Sequence, residues 1–352
     1  MDDVTEIRAS VDDLRLVVQP SLTKAEIEAQ YRLIRFDEGP APTQFQIAAP
    51  RDWGALPDGP DLPTAGNPIT VLGRLQPKDG RAAEITVFAA RPGMELHPAD
   101  FLDQWLRDRG YAIREQRGFE TSFGRVADVL AQKTEPGGTL FSSRLMAIKD
   151  GEFVYVIQGR AAATAPPAAF QDTFIIAFQT FALLAPTKAR FAEPFGWRQM
   201  ADGERALLPK AFQPLPAKSF ENAPGEVRLA AALPAARGLG NARPALLITD
   251  GLAEGEAPLA AAALVQALGG GDAQLTPAPA SELPPGGSEG FTAHLWTTRL
   301  GEVPMSVTTL ARAGTVLVSV SPAREADGAG WARTRRALDV MAETLGPVPE
   351  AR

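Results

Sequence analysis

The chain contains no cysteine. That absence excludes disulfides, thiol catalysis, thiolate metal sites and iron–sulfur clusters. Histidine is almost as scarce: there are two, His97 and His294, in different halves, and a His-based metal centre is not expected from them. No run of about 18 apolar residues occurs, so no helical membrane span is expected. Positive charge is not in surplus, with 35 Lys and Arg against 42 Asp and Glu and a net charge of −7. That balance argues against nucleic acid or an anionic membrane held by bulk electrostatics. Asp2 and Asp3 follow Met1, the opposite of a basic leader start. The expectation is a cytoplasmic chain, or a periplasmic one if a mature form has had its leader replaced by Met1.

What is present is enough apolar material for two cores: 45% hydrophobic residues in a chain of 352, a length that suits two domains of roughly 100–200 residues. The sequence also repeats itself at a distance of about 163 residues. Residues 146–159 read MAIKDGEFVYVIQG and residues 309–322 read TLARAGTVLVSVSP. This alignment sets Gly314 on Gly151, and Val316, Val318 and Val320 on Phe153, Tyr155 and Ile157. It also sets Leu264, Val265 and Leu268 on Phe101, Leu102 and Trp105, and Leu338 and Met341 on Ile175 and Phe178. A repeat this long implies two copies of a domain rather than a solenoid of units about 20–50 residues long.

Residues 1–42 read as an N-terminal arm with a strand at 14–19 and a short helix from Ser21. Residues 43–186 read as the first domain. Its strands are expected at 45–50, 69–76, 84–90, 111–116, 126–133, 140–149 and 152–159, with helices at 98–109 and 168–184. Lys78-Asp79-Gly80 and Asp150-Gly151 mark hairpin turns. Residues 187–225, rich in proline, are a linker or the first strands of the second domain. Residues 226–352 then repeat the order, with helices at 256–268 and 331–345. Strands, helix, antiparallel strands, helix is the order of an α+β protein: two copies of an antiparallel sheet covered by helices.

The first copy resembles the PsbP-type α/β/α sandwich shared by the photosystem PsbP protein, the Ran-binding Mog protein, the DcrB lipoprotein and the Eag-type chaperones of secretion effectors. The resemblance rests on Phe45-Gln46-Ile47-Ala48-Ala49-Pro50 with Trp53, on the Asp150-Gly151 hairpin, and on the helix carrying Phe174 and Phe178. It covers residues 43–185. The second copy keeps the helix–hairpin–helix half, and its opening departs from the pattern. What the resemblance implies is binding, either docking on a large assembly or shielding a hydrophobic client, and a fold analogy does not choose between them.

Candidate chemistry is thin. Gly286-Gly287-Ser288-Glu289-Gly290 has the spacing of a hydrolase elbow, but Pro284 and Pro285 precede it and a strand follows, whereas that elbow needs a strand before and a helix after. Asp58, Asp61 and Asn67 share a loop without calcium-loop spacing. Gly269-Gly270-Gly271-Asp272 ends a helix, as a cap does, whereas phosphate loops precede one. Asp100 with Asp103, and Glu254 with Glu256, suit helix starts. Phe170, Phe174, Phe178 and Phe181 form a stripe that sheet packing demands. No catalytic, cofactor-binding or metal-ligating set is therefore expected. The expected function is a non-enzymatic protein-binding accessory or scaffold subunit of a bacterial envelope or secretion assembly. The alternatives are a chaperone for hydrophobic segments of a secreted effector and a serine hydrolase using Ser288. Two copies in one chain would act as an internal pseudo-dimer.

Overall fold

The structure, a computed structural model, describes residues 13–56, 69–121, 124–187, 189–200, 203–271, 273–279 and 290–347. The chain divides into two units, Met1–Gly93 with His97–Ala192, and Met94–Leu96 with Glu193–Arg352.

In the first unit, α1 (Lys24–Gln30) leads into β1 (Tyr31–Phe36), β2 (Phe45–Pro50), β3 (Trp53–Leu56), β4 (Thr70–Pro77) and β5 (Ala83–Ala90). Then come α2 (Pro98–Asp108), β6 (Ala112–Thr121), β7 (Gly124–Thr134), β8 (Leu140–Asp150), β9 (Phe153–Ala162), α3 (Gln171–Thr180) and β10 (Ala182–Leu183). The second unit repeats that order without α1: β11 (Phe195–Gln199), β12 (Glu204–Pro209), β13 (Gln213–Pro214), β14 (Glu226–Ala232), β15 (Ala245–Asp250) and α4 (Ala257–Ala267). It closes with β16 (Thr276–Pro277), β17 (Thr292–Leu300), β18 (Val303–Arg312), β19 (Thr315–Pro322), α5 (Gly328–Thr344) and β20 (Gly346–Pro347).

Each unit holds a seven-stranded antiparallel sheet, ordered β3-β4-β5-β9-β8-β7-β6 in the first and β13-β14-β15-β19-β18-β17-β16 in the second. Position by position the two orders are the same. Each also holds a three-stranded sheet, β1-β2-β10 and β11-β12-β20. The class is α+β, two antiparallel sheets covered by helices. In the second unit α4 packs on the face carrying Leu247, Val316, Val318 and Val320. There α5 packs on the opposite face, with Leu246, Ile248 and Leu317.

The copies match more closely than the sequence spacing indicates, and in a different register. Helices α2 and α4 end alike. Gly110 and Gly269 sit at φ 70° and 95°, the left-handed conformation that glycine adopts at little cost. The amides of Tyr111 and Gly270 return to the carbonyls of Leu106 and Val265 at 3.0 and 3.1 Å. Leu106 therefore corresponds to Val265, and Trp105 to Leu264, rather than Phe101 to Leu264. In the hairpins, Tyr155 pairs with Ala89 and packs on the α3 side, whereas Leu317 pairs with Ile248 and packs on the α5 side. Tyr155 therefore corresponds to Leu317, not Val318. A one-residue slip moves every side chain to the other face, and the valines matched by spacing lie against α4. The turn agrees: Ala313 at φ 48° takes the place of Gly151 at φ 58°.

The last helices share a side-chain latch. Thr180 bonds the carbonyl of Ile176 and accepts the amide of Ala48 at 2.9 Å. Thr344 bonds the carbonyl of Val340 and accepts the amide of Leu207 at 3.0 Å. Ala48 on β2 thus corresponds to Leu207 on β12, and Phe174 rather than Ile175 to Leu338. The second copy's opening is then Glu204–Pro209 followed by Lys210-Ala211-Phe212, a proline and an aromatic three residues on, as in Pro50 to Trp53. Trp53 and Phe212 are 1% and 0% exposed. The opening keeps the pattern; the aromatic anchor is phenylalanine instead of tryptophan, and Phe195-Gly196-Trp197 belongs to the preceding strand.

The N-terminal region also differs from its reading as an arm. Residues 14–19 form no strand; the strand is β1, paired with the whole of β2 from Tyr31↔Pro50 to Phe36↔Phe45. The helix starts at Thr23, whose side chain and Glu26 cap each other reciprocally, a capping box. Glu26 is held below its ordinary value by the Thr23 hydroxyl and amide.

Candidate functional site

Two features stand out, one repeated in both units and one in the first. The repeated feature is the outer edge of each small sheet. β1 and β11 are edge strands among the described residues, so their outward amides and carbonyls are open to pairing. On β1, Leu33 stands opposite Ala48; on β11, Trp197 stands opposite Leu207. Because Ala48 and Leu207 correspond, so do Leu33 and Trp197. Both are exposed, at 53% and 48%. Scattered exposed apolar side chains are ordinary, but the same edge position in two diverged copies is not scatter. The guanidinium of Arg205 lies 3.9 Å from the Trp197 ring centre.

The feature of the first unit is a cavity of about 500 Å³ between α3 and the β6–β7–β8 end of the large sheet. Met146, Ile148, Val126, Ile175, Phe178 and Phe181 give its wall an apolar lining. Residues before α1 close one side, tethered by the Gln179 amide on the Val18 carbonyl at 2.8 Å and the Arg117 guanidinium on the Leu16 carbonyl at 3.0 Å. In the same wall Asp128 is shared by two arginines. Arg144 Nη2 lies 2.7 Å and Arg117 Nη2 2.5 Å from its Oδ2, and Arg144 Nε donates to Oδ1 at 3.0 Å. The side chains of Asp128 and Arg144 are 2% and 4% exposed.

Elsewhere the sequence candidates scatter. Ser288, with residues 286–289, lies outside the described residues, as do Asp58, Asp61, Asn67 and Asp272. Gly290 turns at φ 82° two residues before β17. His97 is the residue before α2 and is buried; His294 is exposed on β17 with its ring 6.1 Å from Trp296. Asp103 pairs with Arg107 one turn on at 2.9 Å, and Glu256 accepts the Ala253 amide at 2.8 Å. Gly269 caps α4. The Phe174 and Phe178 stripe is buried core. Among the described residues no three His, Asp or Glu gather as a metal site would require. Tyr155 is pushed up by burial, then by Asp150 and Glu152, and its hydroxyl donates to the Pro42 carbonyl at 2.7 Å, a structural tie. Sequence reading missed the charged wall. The one local trace was that Asp128 interrupts the apolar stretch from Val126-Ala127 to Val129-Leu130 on β7, and that Arg144 abuts the apolar residues 145–148 on β8.

No family model matches the chain, and no curated protein matches it. Among solved structures it is similar to the cyanobacterial PsbP protein of Synechocystis sp. PCC 6803, at 7% identity over 44% of this chain and 93% of that one, with a TM-score of 0.32. A Pseudomonas aeruginosa protein described as a putative regulator of unknown function shares 13% identity over 45% of this chain and 99% of its own, TM-score 0.28. A Bacteroides thetaiotaomicron protein shares 11% over 82% of this chain and 88% of its own, TM-score 0.27. Likeness at these values assigns no function, and the architecture above rests on the chain's own strands.

Proposed function

We propose that the chain is a non-enzymatic protein-binding accessory or scaffold subunit that receives extended segments of partner proteins along β1 and β11. The observation that carries this reading is the correspondence of Leu33 and Trp197 on the open edge of each small sheet. Strand addition to an open edge supplies affinity through main-chain hydrogen bonds, and an apolar side chain beside the new strand supplies selectivity. Arg32 and Arg35 on β1 and Arg198 on β11 blunt indiscriminate pairing of such edges.

The test is a stoichiometric pulldown from the native host with the full chain, compared with Leu33→Asp, Trp197→Asp and the double substitution. Loss of a defined partner set in the double variant, with each single variant losing part of it, is expected. A partner set unchanged by both substitutions would sink the strand-addition reading. Recovery of a single client that is insoluble alone would replace it with the chaperone reading.

A further inference from the structure

We infer that the cavity of the first unit is a binding site for a small amphipathic monoanion, a single carboxylate on an apolar tail. This goes beyond the strand-addition reading and does not depend on it. Three observations carry it.

The first is charge. Arg117 and Arg144 share one carboxylate, so among the described residues that line the cavity one positive charge is in surplus. Arg144 takes both oxygens of Asp128, and the surplus falls on Arg117, whose side chain is 28% exposed; a partly desolvated cation without a full counter-charge is unfavourable. A monoanion in the cavity relieves the surplus charge.

The second is comparison within the chain. Asp128 stands opposite Met146. Met146 on β8 corresponds to Thr308 on β18, and Thr308 stands opposite Leu295. Leu295 therefore takes the place of Asp128, and Ser306 that of Arg144. The same fold is built in the second unit without either charge. The ionic cluster is not demanded by the architecture, and replacement of buried ion pairs by apolar residues is often neutral or stabilising.

The third is shape. About 500 Å³ lies inside the range of roughly 300–1,000 Å³ typical of small-molecule sites, whose walls are mostly apolar with a few placed polar groups. The walls named above have that composition. Val18 and Phe119, which also line the cavity, are 60% and 40% exposed and mark its mouth. The tail packs on Met146, Ile148 and Phe178 while the carboxylate faces the guanidinium pair.

Titration calorimetry of the full chain with decanoate, decan-1-ol and decyltrimethylammonium, each below its micellar or solubility limit, tests the assignment. One decanoate per chain, bound at least tenfold more tightly than either other probe, is expected. Arg117→Met should shrink the preference for decanoate over decan-1-ol to under threefold, whatever its effect on the two affinities together. Val18→Trp, a change at an exposed side chain that leaves the core intact, should weaken decanoate and decan-1-ol together. Circular dichroism melts within a few degrees of the parent establish that both variants are folded. No binding, equal affinity for the three probes, preference for the cation, or decanoate affinity indifferent to both substitutions would overturn the proposal.

Discussion

Glu84 on β5 has its carboxylate 2.9 Å from Arg160 and accepts the Thr86 hydroxyl at 2.9 Å. Burial works to raise its pKa, yet Arg160 and the neighbouring donors win, and the group lies below its ordinary 4.5. A carboxyl lowered on folding contributes stability that is complete above its unfolded value and is lost as pH falls through the folded one. Glu84→Gln should therefore cost about 1 kcal/mol or less at neutral pH, and flatten the acid limb of a urea-midpoint curve below pH 4.5. An unchanged acid limb would show that the pair contributes nothing. Single residues were the least readable level of this sequence. Asp128 looks like any strand aspartate until Arg117 and Arg144, 11 and 16 positions away, fold onto it, because the contact is made across three strands and no local pattern records it.

At the scale of elements, most strands, the four long helices among the described residues and the β4–β5 and β8–β9 hairpins were legible from alternation, apolar stripes and turn glycines; the register that matches one unit to the other was not. β19 is buried on both faces, but only Val316, Val318 and Val320 make an apolar alternation; the face that corresponds to Tyr155 carries Thr315, Leu317, Ser319 and Ser321. The stronger apolar alternation therefore aligned with Phe153, Tyr155 and Ile157 although it faces the other helix. Ala313 hid the answer further by replacing a turn glycine with a residue that rarely adopts positive φ. The proline-to-aromatic spacing of Pro209 and Phe212 was the available clue to the second opening. β1 was misread because its six residues YRLIRF alternate little and follow a helix without a break. Its six-residue pairing with β2, and the Tyr31 hydroxyl 3.0 Å from that of Thr173, make it part of the first unit rather than a removable arm. Deleting residues 1–42 should leave the first unit unable to fold cooperatively, with protease-resistant 193–352 remaining. A truncated chain that melts as the full one does would contradict this.

For the whole molecule, the two units have separate cores, so each should report its own damage. Thr180→Val and Thr344→Val remove equivalent latches and strand one buried amide each, a loss of about 1–3 kcal/mol. Calorimetry should show Thr180→Val lowering one transition and Thr344→Val the other, each by several degrees. Either substitution lowering both transitions equally would mean the units do not melt independently. The divergence between the halves has one more consequence, for ancestry. Arg117, Asp128 and Arg144 against Leu295 and Ser306 make a short fingerprint by which a lone single-domain cousin could be assigned to one lineage or the other. Where the trio stands in such a cousin, it sides with the first unit; where leucine and serine stand instead, it sides with the second.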